Sequence, residues 1–441
     1  VAQLGGVHLA CEQASNLLTK VLEWGRLMSY LEQSTRYIAY DARIGGRYRF
    51  HRDPGVLGSP LGTRYVGEMD RLFDTYAELL PKLTEFFRVQ FPKDPDDSDF
   101  VYRQATRAKA FDALRGLLPA ASLSNVGIYG TGQAYEALLL RMRSHPLPEA
   151  RTYADLILHE LRKVIPSFLK RVDLADRGVA WSTYLATNRT AMDEVADRLF
   201  PADTPADGAP VVTLTDFDPE AEVKLVTAML YAHTHVPETQ VEARVRAMSA
   251  QDRLGVVAAY VGDRSNRRHR PGRALERIDY RFDVLADYGA FRDLQRHRML
   301  TVEWQQLSPR HGFTRPESID LAGETETFDA AMARSAALHD LLEPRFPAQA
   351  PYAVALAYKV RFVMQMNARE AMHVLELRSG PQGHPAYREV AQQMHRLVAE
   401  QAGHHAVAEM MRYVDHAPEP SLERLEAERR AEARRSGGST P

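Results

Sequence analysis

The sequence predicts an α+β chain that is mostly helical and built as two tandem halves. Three observations carry this reading. Long stretches repeat apolar residues every three or four positions, and only two short stretches read as strands. A Pro/Gly/Asp-rich run at 200–210 then separates two segments that share strings in the same order. The helical spacing is clearest over 65–89, where Met69, Leu72, Phe73, Tyr76, Leu79, Leu80, Leu83 and Phe87 form one stripe. Leu156, Ile157, Leu161, Ile165 and Leu169 predict a helix over 152–172, and 328–342, 353–377 and 387–414 read the same way. Strands are expected at 210–215, from Val211, Val212 and Leu214, and at 278–285, where Ile278, Tyr280, Phe282 and Val284 alternate with charged residues.

These patterns set the boundaries: a first copy at 1–199, a linker at 200–210, a second copy at 211–420 and a charged tail at 421–441. The tail is Glu/Arg-rich and then Ser/Gly-rich, and is expected to run from a helix end into disorder. In the first copy LEQSTRY (31–37) precedes LLLRMRSHP (138–146); in the second, QLSPRHGF (306–313) precedes VLELRSGPQGHP (374–385). Each shows Ser-x-Arg, later an apolar helix ending in Arg, then a loop with His-Pro. Ser34 and Arg143 are 109 positions apart and Ser308 and Arg378 only 70. The first copy therefore holds extra chain, expected at 41–64 and 90–105, where Gly, Pro and Asp gather.

Of the 441 residues, 45% are apolar and 26% charged, an ordinary globular composition. The 56 Lys and Arg against 58 Asp and Glu leave a charge of −2, which offers no overall field for nucleic acid or an anionic membrane. No run approaches the ~20 apolar residues of a membrane span, so a cytoplasmic protein is expected. The single cysteine, Cys11, excludes an intramolecular disulfide framework and thiolate-rich zinc sites. Its setting, HLACEQASN, reads as a buried helical residue and not as a nucleophile.

The densest polar cluster begins at Arg292, where Arg292, Arg296 and Arg298 flank His297, with Ser308 and Arg310 following. Guanidinium forks suit phosphates and carboxylates, so a helix carrying Arg-His-Arg before a Ser-x-Arg loop suits an anionic nucleotide. Only eight of the 56 basic residues are lysines, so a solvated basic helix end is the competing reading. Arg369 and His373 are four apart and share a helix face; Asn367 faces elsewhere unless it lies at the helix edge. Salt bridging to an acidic neighbour is the alternative for that stripe. GIYGTGQ (127–133) has no lysine after its glycines and reads as a helix kink or a close packing point. His233, His235, His404 and His405 lack carboxylates at ligand spacing, read as surface or capping residues, and no metal is expected.

Arg296-His297-Arg298, followed seven residues later by Gln306-Leu307-Ser308-Pro309-Arg310, resembles the signature of the flavin-dependent thymidylate synthases. Asn367-Ala368-Arg369, Leu377-Arg378 and His384 resemble that family's Asn-Ala-Arg helix and the loop after it. RHRPGRALE (268–276), with His269, is a poor relative of its His-x-x-Pro-Phe-Glu-His segment, and 211–232 resembles its opening strand and helix. The first copy resembles the family separately, through Glu32-x-Ser34-x-Arg36-Tyr37 and RGLLP (115–119). The resemblance implies a small sheet in each copy. It implies that Glu32, Ser34, Arg36, Tyr37, Arg115 and Arg143, with Ser308, Arg310 and Arg378, bind the nucleotide, Arg36 and Arg115 being catalytic. His269, Arg296, His297, Arg298, Asn367, Arg369 and His373 would bind the flavin.

Each copy also departs from the pattern. The first has Trp24-Gly25-Arg26 for Arg-His-Arg and Thr131-x-Gln133 for Asn-x-Arg. The second has Gln306 for Glu, His311 for Tyr, and Pro351 and Ala355 at the place of Arg-x-x-Leu-Pro. Family sites form between subunits of a tetramer, so a fused pair, as a homodimer forming a pseudo-tetramer of repeats, could pool one nucleotide loop with one flavin helix. The implied reaction is reductive methylation of dUMP, or another uridine nucleotide, at C5, using methylenetetrahydrofolate, FAD and NADPH. The alternatives are a decayed pseudoenzyme that binds a nucleotide or flavin, and a helical scaffold protein.

Overall fold

A computed structural model describes residues 2–201, 204, 210–417, 422 and 424–436. Most of the 200–210 linker and the end of the tail, 437–441, fall outside these residues. Within the tail the Glu/Arg-rich stretch Leu425–Ser436 forms a helix, the charged helix end that was expected there; the Ser/Gly-rich end lies outside the described residues. No helix among the described residues is long and apolar enough to cross a membrane.

The chain forms two compact units. One comprises 1–207 with 307–358, the other 208–306 with 359–441. The segment 307–358, read from the sequence as part of the second copy, thus packs with the first.

In the first unit β1 (Gly6–Ser15), β2 (Met28–Glu32) and β3 (Leu123–Thr131) form an antiparallel sheet in the order β1-β3-β2. In the second, β4 (Val212–Phe217), β5 (Asp279–Asp287), β6 (Thr301–Trp304) and β7 (Lys359–Asn367) form one in the order β4-β5-β7-β6. With β4 set aside, the two sheets share a topology. Ser15 lies opposite Leu123 as Asp287 lies opposite Lys359, and Glu32 opposite Val126 as Trp304 lies opposite Phe362. Central strand and following helix are related by a constant offset of 236 (359 minus 123, 367 minus 131).

Strands run directly into helices at matched caps. The side chains of Ser15 and Asp287 accept from the backbone N–H three residues on, and those of Thr131 and Asn367 do the same. These caps end the extended runs because they satisfy an N–H that the first helical turn leaves orphaned.

The stripe read over 65–89 is the buried face of helix Gly62–Gln90, with all eight of its apolar residues inside. Helix Thr325–Leu342 packs against it within the same unit. Helix Asp99–Leu114 begins within the expected insertion at 90–105 and runs on past its end.

Five readings are corrected. The helix expected over 353–377 is β7 followed by helix Ala368–Arg378; Val360, Phe362, Met364 and Met366 are buried at period two, alternating with Lys359, Arg361, Gln365 and Asn367 and broken only by Val363. The helix over 152–172 runs instead from Pro148 to Arg162 and stops ahead of Pro166, and Leu156 lies on its exposed side. The helix over 387–414 is likewise interrupted: Pro385–Glu400 and His405–Met410 flank Gly403, whose φ of +69° ends the first. GIYGTGQ is the junction of β3 with helix Gly132–Arg143, where Cβ atoms on Gly130 and Gly132 would strike Met28 and Phe168. Cys11 is buried as expected, but on β1, where burial pushes its thiol up to about 12.

Candidate functional site

The first unit holds the residues matched to the nucleotide loop. Glu32, at the end of β2, accepts from Lys20 Nζ at 3.2 Å, and the same ammonium meets Glu23; all three are buried. Ser34 Oγ accepts from the Arg36 backbone N–H at 3.2 Å, and Ser308 Oγ accepts from that of Arg310 at 3.4 Å, so Ser-x-Arg makes the same turn in both copies. Arg36 is buried and grips Asp112 with two parallel bonds, Nε to Oδ1 at 2.7 Å and Nη2 to Oδ2 at 2.5 Å. Tyr37 is exposed, and Arg115 is buried at the start of the short turn Arg115–Leu117. Arg143 ends its helix in ion pairs with Asp173 (2.6 Å) and Asp155 (3.0 Å), and Arg310 meets Glu343 at 3.2 Å.

The second unit holds the residues matched to the flavin motifs. Arg-His-Arg does not lie on a helix: helix Tyr288–Leu294 stops short of it, and His297 turns inward and is buried. Arg292 is buried too, so this is no solvated helix end. Arg378 Nε donates to His297 Nε2 at 2.9 Å. Arginine has no acceptor, so Nε2 must carry the lone pair and a neutral His297 holds its proton on Nδ1. Nδ1 lies 3.6 Å from Glu370 Oε1. By the same reasoning His373 Nδ1, 2.9 Å from Arg270 Nη2, is an acceptor. Burial first, and the adjacent guanidiniums second, lower His297 well below the usual imidazole range. Burial likewise lowers His373 to about 4, and it raises the Glu370 carboxyl. His297, Glu370 and His373 have a metal centre's composition, but ring nitrogens of both histidines already accept guanidinium protons.

Asn367 is at the helix edge, where its side chain caps the Glu370 N–H at 2.9 Å. Arg369 Nε donates to Pro271 O at 3.1 Å. Arg296 pairs with Asp293 at 3.4 Å, and Arg298 and His269 are exposed. The loop holding His269 is fastened from inside by buried Arg264, which donates to His269 O and takes both oxygens of Glu376 at 2.6 Å. Arg267, Arg268 and Arg270 are exposed on that loop, and Arg369 is half-buried. The charges of Arg270, Arg298 and Arg369 all act on Glu370. Neutral imidazoles ringed by guanidiniums suit a group that carries phosphates, as a flavin dinucleotide does.

All the nucleotide residues except Arg378 thus fall in the first unit, and Arg378 joins the flavin set in the second. His404, read as a surface or capping residue, is hydrogen-bonded through Nδ1 to Tyr280 OH at 2.8 Å. Sequence reasoning missed Asp112, Arg270, Glu370 and Arg264–Glu376. Glu370 alone left a signal, three residues after the cap Asn367 and three before His373.

The sequence matches the family model of the thymidylate synthase complementing protein at residues 1–167 and 213–404. A UPF0159 protein of Chlamydia muridarum is 36% identical over 435 residues, 98% of this chain and 82% of that protein. A UPF0159 protein of Thermoplasma acidophilum is 29% identical over 461 aligned residues, covering 99% and 90%. A solved UMP/dUMP methylase from Streptomyces cacaoi, bound with 5-Br dUMP, covers 46% of this chain and 97% of its own at 18% identity, with a TM-score of 0.34. The chain belongs to the family of thymidylate synthase complementing proteins, the flavin-dependent thymidylate synthases.

Proposed function

We propose that this protein methylates a uridine nucleotide, dUMP by preference, at C5, with methylenetetrahydrofolate as carbon donor, FAD as cofactor and NADPH as reductant. One observation carries the reading: the folded chain joins Arg378 of the Leu-Arg motif to His297 of Arg-His-Arg by a 2.9 Å hydrogen bond. Motifs 81 residues apart meet as one donor–acceptor pair. Arg298, Arg369 and His373 would hold the flavin, with His269 and Arg296 beside them. A bound flavin supplies the reducing equivalents that turn a transferred methylene into a methyl group. The protein's own part is orientation and charge. Neutral His297 fixes the Arg378 fork, whose positive charge stabilises the negative charge that develops on a pyrimidine as C5 becomes nucleophilic.

A second reading, nucleotide or flavin binding without turnover, is favoured by one observation. Arg36 and Arg143, matched to phosphate-gripping positions, are both held by carboxylates. The test is spectroscopic and then kinetic. Purified protein should carry, or take up, FAD with visible flavin bands, and should oxidise NADPH in a dUMP-dependent way. Protein that takes up no FAD sinks the enzyme reading; FAD uptake without dUMP-dependent oxidation selects the second.

A further inference from the structure

The helix Ala180–Leu199 lies between the two segments that match the family, 1–167 and 213–404. It is twenty residues long, yet none of them is buried. It touches its own unit along one side only, through Ser182 Oγ to Leu140 O and Arg189 Nη1 to Ser144 O at 2.8 Å. Four of its large side chains face solvent, Trp181 at 58% exposed, Tyr184 61%, Met192 62% and Leu199 61%, while Leu185 and Val195 are half-buried.

Their spacing is ordered. Trp181, Leu185, Asn188, Met192, Val195 and Leu199 follow one another at steps of four, three, four, three and four. That alternation is the heptad seam of a coiled coil. A straight single helix on a globular surface has no need of it; a partner helix of the same repeat does.

We propose that this seam pairs with the same helix of a second copy of the chain, in parallel, around a two-fold axis. One feature chooses the occupant and its direction. In a parallel pair Asn188 meets Asn188 of the partner subunit, and each amide can donate to and accept from the other. In an antiparallel pair it would be buried against methionine without a partner. The seam is roughly 27 Å long and one helix wide, at the low end of specific interfaces, so association belongs in the micromolar range. None of this depends on the flavin or nucleotide assignment.

Sedimentation velocity of the full chain over about 5–200 µM tests it. The wild type should self-associate with a micromolar Kd. Met192→Glu, on an exposed side chain whose loss cannot open the core, should weaken that step at least about 100-fold with an unchanged circular dichroism spectrum. Thr190→Glu, on the opposite side of the helix, should leave association intact. Asn188→Cys should give an oxidised dimer on a non-reducing gel, because Cys11 is buried and silent. A wild type that stays a monomer throughout, association that survives Met192→Glu, or an Asn188→Cys variant that associates without forming the cross-link would each overturn the proposal.

Discussion

Arginine in this chain serves the architecture before it serves any ligand. Arg36 is spent on Asp112, Arg143 on Asp155 and Asp173, and Arg264 on Glu376 and two turns of backbone. Arg378 differs, because its Nε partner is a neutral ring and not a carboxylate, so its charge is not cancelled by that contact. Keeping His297 and His373 neutral has a measurable consequence. An unfolded histidine takes its proton near pH ~6.5, whereas His373 in the folded chain does so only at about 4, and burial also holds His297 well below its ordinary range. Between those values the unfolded state binds more protons, so stability is fullest above about pH 6.5 and is lost as pH falls toward 4. The raised Glu370 carboxyl works in the opposite sense, since its buried charge costs most at neutral pH. Two imidazoles against one carboxyl leave a net loss. Urea midpoints at about pH 7, 6 and 5 should therefore fall for the wild type, and fall less for His373→Asn, by up to about one proton's worth of slope. Equal slopes would mean that His373 is not held neutral.

At the scale of the element, the caps position the chemistry. Helix Ala368–Arg378 carries Glu370, His373 and Arg378, and its first turn is fixed by the Asn367 side chain. Asn367→Ala should cost about 1 kcal/mol in chemical denaturation, and Asn367→Asp, which keeps the acceptor, should restore most of it. If both variants lose equally, the cap is not what Asn367 provides. The matched cap in the first copy is Thr131, and a cap needs only a short side-chain oxygen. That explains how the first copy could lose the Asn of Asn-x-Arg and still build the same strand-to-helix junction.

For the molecule as a whole, the first unit is built from both halves of the chain. Residues 116–121 and 352–357 form a short antiparallel ladder centred on the bridge between Pro119 and Ala355, positions that the 236-residue offset makes equivalent. The bonds come in mirrored pairs: Ala120 N to Val354 O with Leu356 N to Leu118 O, and Ala121 N to Tyr352 O with Ala357 N to Gly116 O. This is the local two-fold expected where two copies of one fold meet. A Cβ on Gly116 would lie 2.9 Å from that of Ala357, so the ladder closes only over glycine. Tyr352 OH also donates to buried Glu149 at 2.7 Å, next to the two bonds Glu149 receives from Ser15. Cutting the chain once between 204 and 210 should therefore leave two fragments that elute together on size exclusion and part only in denaturant. Fragments that separate in buffer would show that this shared core is not what joins them.

Periodicity by itself determined the long helix: eight apolar residues at three- and four-residue steps can be buried together only on a helix face, and they are. Ordered motifs determined the duplication and the family, because strings such as Asn-Ala-Arg and Ser-x-Arg survive where overall similarity between the copies has faded. The sequence hid β3, where the glycines blur the period-two signal. It did show β7, where Lys359, Arg361, Gln365 and Asn367 alternate with Val360, Phe362, Met364 and Met366 and only Val363 breaks the pattern, so the helix expected there misjudged the period. Only the tertiary structure decided which charges meet. Arg36 and Asp112 are 76 positions apart, Arg264 and Glu376 112, and His297 and Arg378 81. Such pairings carry no local pattern, because burial, and not sequence spacing, forces each guanidinium onto the acceptor that the fold brings to it.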